Sequence, residues 1–116
     1  MSSPFLTEAQ RLALAANGLR AARDDGFDPQ PVVKLFTPDA NATWLLTELD
    51  PNDPDRAFGL CDLGLGCPEL GYVSLTELAG VRGRLGLPAE CDRHFRADRP
   101  LSAYAAEAQA AGRVLS

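Results

Sequence analysis

Between Pro31 and Leu75 the chain carries four short segments rich in β-formers: "PVVKLFTP" (31–38), "ATWLLTEL" (42–49), "RAFGLCDLG" (56–64) and "LGYVSL" (70–75). Their spacing of about a dozen residues, with proline-, glycine- and aspartate-rich turns between them, predicts an antiparallel meander. Helical patterns lie on either side. The expected class is α+β: a small antiparallel sheet of about four strands, flanked by an N-terminal helix and two C-terminal helices. At 116 residues the chain fits a single domain, 1–116, with one modest core.

Within the second segment Trp44 and Leu46 would face one side, and Leu45, Thr47 and Leu49 the other. Both sides carry apolar groups, which predicts a central strand covered on both faces. Ahead of the strands, "LTEAQRLALAANGLRAARDDG" opens as a helix, Thr7 capping and Gln10 closing a capping box. Ala9, Leu12, Ala13, Ala16 and Leu19 recur at helical spacing as one apolar stripe, Asn17-Gly18 is a point of breakage or kinking, and Asp24-Asp25-Gly26 is a stop. "SLTELAGVRGRLGLP" reads as a second helix, boxed by Ser74 and Glu77 and ending at Gly86 before Pro88. "DRHFRADRP" is expected as a loop or short edge strand. "PLSAYAAEAQAAG" reads as the last helix, with Leu101, Tyr104, Ala105, Ala108 and Ala111 on one face and Gly112 as its cap.

The net charge of −5 is unevenly placed. Residues 39–77 hold one basic group, Arg56, against eight acids, a net −7, whereas residues 78–116 hold six arginines against four acids, a net +2. An acidic middle repels phosphate and argues against nonspecific duplex binding over the whole surface. Cys61, Cys67 and Cys91 form an odd set, expected as reduced thiols rather than a secreted disulfide framework. "MSSPFLTEAQ" shows no signal-peptide pattern and no apolar run is long enough to span a membrane, so a cytoplasmic protein with no membrane contact is expected.

The loop "LDPNDPDR" raises the question of metal. Asp50, Asn52 and Asp53 resemble the start of a calcium loop, but the later positions fall on Pro54, Asp55 and Cys61 where a ligand, a glycine and a glutamate are required. A hairpin connection is the simpler reading, with an acidic docking rim as its alternative. Cys61, Cys67, Cys91 and His94 lack any Cys-x2-Cys pair, so zinc is not expected either. "GLCDL" lacks the second glycine of a nucleophile elbow, and the glycines that follow form neither a dinucleotide fingerprint nor a phosphate loop. No catalytic residue, metal or cofactor is expected from these patterns.

The run "PVVKLFTPDANATWLLTELDPNDPDRAFGLCDLGLGCPELGYVSLTEL", with "LTEAQ" before it and "HFRADRPLSAYA" after it, resembles the bacterial family known as domain of unknown function 2958, over about residues 6–115. The resemblance implies a small soluble protein of plasmids and integrative elements, encoded among replication, transfer and anti-restriction genes. It brings no catalytic residues. The first expectation is a non-enzymatic binding protein whose acidic surface, Glu48, Asp50, Asp53, Asp55 and Asp62, docks on a protein partner. That partner would be a nucleic-acid-processing or host-defence complex, in an anti-restriction or anti-CRISPR type of role. One alternative is single-stranded nucleic-acid binding through Arg82, Arg84, Arg93, Arg96 and Arg99, with Phe95 or Tyr104 to stack. The other is a metal-dependent hydrolase using the clustered carboxylates, Glu69 among them.

Overall fold

The structure is a computed structural model and describes residues 6–116. Thr7 starts the first helix, α1 (Glu8–Ala21): its Oγ1 accepts the Gln10 amide at 3.1 Å, and Gln10 Oε1 accepts the Thr7 amide at 2.9 Å. Two amides that a helix start leaves unpaired are thereby satisfied. Four strands follow, β1 (Val33–Phe36), β2 (Thr43–Asp50), β3 (Asp53–Asp62) and β4 (Glu69–Ser74), each antiparallel to the next. Then come α2 (Leu75–Ala79), β5 (Glu90–Cys91) and α3 (Leu101–Ala111). The sheet order β4-β3-β2-β1-β5 is the predicted meander with one strand added beside β1. The class is α+β with five strands rather than about four. Two residues, Glu90 and Cys91, are too few to leave a period-two pattern in a sequence. No helix among the described residues is long and apolar enough to cross a membrane.

Trp44 and Leu46 of β2 face α1 and α2, packing with Leu14, Val33, Leu35, Leu75 and Leu78. Leu45 faces the other way, onto Leu60, Leu101, Tyr104, Ala105 and Ala108. Trp44 is buried, as a central strand requires. Strict alternation fails past that point. The β2–β3 register steps from Leu46↔Gly59 to Glu48↔Phe58, leaving Thr47 as the extra residue of a bulge. Leu49 therefore joins the Trp44 side instead of the Leu45 side predicted for it. A bulge of one residue exchanges the faces of everything after it.

Buried Thr47 donates its hydroxyl to the Phe58 carbonyl at 3.2 Å, while its own carbonyl accepts from Asn17 Nδ2 at 2.9 Å. The neighbouring Gly18 lies so close to β2 that a Cβ there would stand 1.8 Å from the Leu49 carbonyl oxygen. Asn17-Gly18, expected as a break, is instead where an unbroken α1 seats on the sheet. That seating reverses the expected orientation. Leu14 and Gly18 are buried, whereas Ala9, Leu12, Ala13, Ala16 and Leu19 point to solvent. The stripe of larger apolar residues loses to the face that permits close approach.

α2 is also shorter than predicted, ending at Ala79 rather than Gly86. Ser74 Oγ accepts the Glu77 amide at 3.1 Å, one half of the expected box, but Glu77 does not return a bond to the Ser74 amide, which belongs to β4. Glycines at 80, 83 and 86 then each weaken a helix by about 1 kcal/mol relative to alanine. A distant carboxylate completes the change: Asp39 Oδ2 accepts the amides of Leu85 at 2.6 Å and Leu87 at 3.3 Å, holding residues 82–88 as a loop. Asp28 acts similarly on α3, accepting the Ser102 amide at 3.1 Å and its hydroxyl. Gly112 closes α3 at φ 77°, the left-handed value predicted for a cap, and Ala111 alone of the expected face is exposed.

Gly18→Ala separates the two demands on this position. Helix propensity alone would stabilise the chain by about 1 kcal/mol, but the added methyl meets a backbone oxygen that cannot rotate away. Urea unfolding is expected to show a net loss of about 1–3 kcal/mol, as for overpacking elsewhere. A gain would mean that α1 is not seated on β2 at this residue.

Candidate functional site

The hairpin between β2 and β3 uses its aspartates locally. Asp50 Oδ1 accepts the Asn52 amide at 2.8 Å, and Asp53 Oδ1 accepts the Asp55 amide at 3.1 Å. Both are the side-chain-to-backbone turns that aspartate favours. Asp50 Oδ2 also meets Arg56 at 3.3 Å. Asp55 reaches across to β4 and α2, accepting Ser74 Oγ at 2.6 Å, the Thr76 amide at 2.9 Å and Thr76 Oγ1 at 2.7 Å. These bonds hold its carboxyl below the ordinary value of 3.8. Asp62 is only 3% exposed. Its oxygens accept the Gly64 amide at 2.8 Å and the Val114 amide at 2.9 Å, tying the turn after β3 to the chain beyond α3. Of the five acids expected on a docking surface, Asp55 and Asp62 are occupied by structure. Asp50 is tied to the Asn52 amide and to Arg56, Glu48 is half-buried, and Asp53 is exposed.

Glu48 stands apart from the others. The bulge turns it onto the α3 side of the sheet, opposite Phe58. It is half-buried, with the Thr47 hydroxyl at 3.3 Å and no ion pair among the described residues. Burial pushes its carboxyl above the ordinary value of 4.5, the Thr47 bond offsetting part of that.

Beside Glu48 the sheet carries an aromatic row. Phe58 and Tyr72 are direct cross-strand partners, with ring centroids 5.0 Å apart in a T-shaped contact. The Arg56 guanidinium lies 3.7 Å from the Tyr72 ring centroid. Leu70 pairs with Leu60 on the same face. α3 packs over Leu45 and Leu60 but leaves their neighbours on β4 largely uncovered, with Tyr72 51% exposed and Leu70 45%. Sequence reasoning missed Phe58, Leu70 and Tyr72. Each reads there as an ordinary β-former, and only the register of β3 with β4 sets them side by side.

The arginines do not converge. Arg82 bonds to the Ala79 and Val81 carbonyls at 3.0 and 2.9 Å, and Arg84 is exposed in the loop that follows. Arg93 lines a shallow cleft with Thr7, Gln10 and Cys91. Arg96 folds back on the Phe95 carbonyl at 2.9 Å. Arg99 is engaged by Asp98 at 2.5 Å and Glu107 at 2.8 Å while covering the Tyr104 ring, so its charge is met within the chain. Phe95 and Tyr104, the expected stacking residues, pack into the α3 core.

A further cleft of about 680 Å3 lies at the far end of the sheet, with Lys34, Phe36, Thr43 and Arg113 on its walls. Its Lys34 faces Asp92 at 3.9 Å. Burial, with Glu69 nearby, pushes the Cys61 thiol up to about 11, and burial raises Cys91 as well. Cys67 and His94 are exposed. Among the described residues no three His, Cys, Asp or Glu side chains gather as metal ligands.

A family model described as "Protein of unknown function (DUF2958)" matches residues 5–115. No curated protein and no solved structure matches the chain.

The Asp55 assignment is open to measurement. A carboxyl held below its ordinary value stabilises the fold above pH 3.8, and that contribution fades as pH falls through the folded value. Asp55→Ala is expected to lower the urea midpoint at neutral pH, with the difference from wild type closing in acid below about pH 3.8. A pH-independent difference would assign the loss to packing rather than to the charge.

Proposed function

We propose that the chain, which belongs to the DUF2958 family, is a non-enzymatic binding protein that docks on a basic protein surface through the open end of its sheet. The observation that carries this reading is the exposed Tyr72, in T-shaped contact with Phe58, which in turn lies beside the half-buried Glu48 that no cation among the described residues answers. Tyrosine supplies contact area at low conformational cost and is enriched at binding hot spots. A carboxylate already partly stripped of water loses less on docking and gains an ion pair. An arginine or lysine among apolar residues is the matching chemistry on the partner.

Basic surfaces of that kind mark proteins that handle nucleic acid. A nucleic-acid-processing or host-defence protein of the bacterial cell is therefore the proposed partner class, with an anti-defence role for a mobile genetic element as its setting. The acidic surface inferred from sequence contracts in this proposal to Glu48 and Asp53, Asp50 being taken up by Arg56, with Phe58, Leu70 and Tyr72 as its apolar part.

Glu48→Gln tests the reading in two measurements. Because the folded carboxyl titrates above 4.5, its ionised form is disfavoured in the fold, and stability falls as pH rises from that value through the folded one. The variant is expected to be more stable than wild type at neutral pH and to bind the partner less tightly. Tyr72→Ala is expected to weaken the same complex by at least about thirtyfold, a hot-spot-sized loss of about 2 kcal/mol. Calorimetric titration of a partner isolated with the wild-type chain provides both values, and binding should weaken with salt. A partner indifferent to both substitutions, or a gel shift with single-stranded DNA, would sink the proposal.

A further inference from the structure

The sheet has two edges, and they are treated differently. β5, at one end, is two residues long, too short to template another strand. β4, at the other, runs for six residues with the sequence Glu-Leu-Gly-Tyr-Val-Ser. It holds no proline, no lysine and no bulge, the usual means of blunting an edge. All its ladder pairing is with β3, and among the described residues no other main-chain hydrogen bond reaches it. One row of amides and carbonyls is therefore free along its outer side.

Apolar groups flank that free row above and below. On the α3 side stand Leu70 and Tyr72. On the α2 side a groove of about 460 Å3 is lined by Leu63, Val73, Leu78 and Val81, with Asp53 and Glu77 at its rim. An added strand would alternate its side chains between the two. Glu69 begins the strand itself, and Arg56, the one basic group of residues 39–77, is already paired with Asp50 and stacked on Tyr72.

We propose that β4 accepts an extended basic segment of the partner as an additional strand. Main-chain hydrogen bonds would supply affinity, and the rim acids would select lysine or arginine side chains. This rests on the docking role proposed above and names its mode. Charge chooses this occupant over a second copy of the chain. Two β4 edges brought together would bring the acids Asp53, Glu69 and Glu77 of one copy toward those of the other, while Arg56 of each is already taken up by its own Asp50.

The test uses the full chain labelled with nitrogen-15 and a peptide alternating lysine with valine, beside a peptide alternating glutamate with valine. With the basic peptide, every second amide from Glu69 to Ser74 is expected to exchange at least about tenfold more slowly, and added salt is expected to reverse this. Glu69 and Glu77 are exposed, so the double variant Glu69→Lys, Glu77→Lys keeps the fold and is expected to prefer the acidic peptide. Binding of the basic peptide that responds to Tyr72→Ala without slowing β4 exchange would overturn strand addition and leave the docking face standing. Slowing that grows with protein concentration in the absence of peptide would overturn it in favour of self-pairing. An equal response to both peptides would overturn the role of charge.

Discussion

The contact between Asn17-Gly18 and the bulge at Thr47 organises much of what surrounds it. Asn17 satisfies the Thr47 carbonyl, and Gly18 lets the helix backbone approach β2 to a distance that any side chain would forbid. A buried carbonyl without a partner would cost about 1–3 kcal/mol, so the bulge and the helix stabilise one another. The bulge also decides which residues face where. In strict alternation Glu48 would point at the side occupied by Trp44 and Leu46, and Leu49 would point away from it. One extra residue buries Leu49 and delivers Glu48 to the α3 side beside Phe58. The fold and the candidate site therefore depend on the same inserted residue.

This contact also shows why the sequence was legible in some places and not in others. Period-two runs, caps and turn residues are local signals, and they placed the meander, the Thr7–Gln10 box, the buried Trp44 and the Gly112 stop. The face that α1 buries is not a local matter. Its stripe of Leu12, Ala16 and Leu19 carries more apolar area than Leu14 and Gly18, yet the latter are buried because β2 offers a carbonyl there. α2 fails in the same way: Asp39, more than forty residues upstream, captures the amides that a longer helix would have used. Long-range hydrogen bonds to backbone leave no periodic trace in a sequence.

Formal charge was similarly over-read. The net −7 of residues 39–77 counts every carboxylate as surface, but Asp39, Asp55 and Asp62 each accept two or more backbone or hydroxyl donors. Aspartate is short enough to cap a neighbouring segment, and this chain uses it as mortar between its loops. Arg99 is the basic counterpart, neutralised by Asp98 and Glu107. What remains after these are set aside is smaller and more specific than the charge map: Glu48, with no ion pair among the described residues, and three apolar side chains that no local pattern singles out.

Those leftovers share a location. A half-buried carboxylate with no cation among the described residues, an exposed tyrosine beside an exposed leucine, and an unblunted strand edge each work against solubility or stability. Other leucines are also exposed, Leu12 and Leu19 on α1 and Leu65 and Leu85 in loops, but β2 is covered on both faces, the opposite edge is two residues long, and the aspartates of the loops are bonded. Scattered, three such departures would be unremarkable in a chain of this size. Gathered across β2, β3 and β4, on the side of the sheet where Tyr72 and Leu70 stay exposed, they form the surface on which the proposed docking rests.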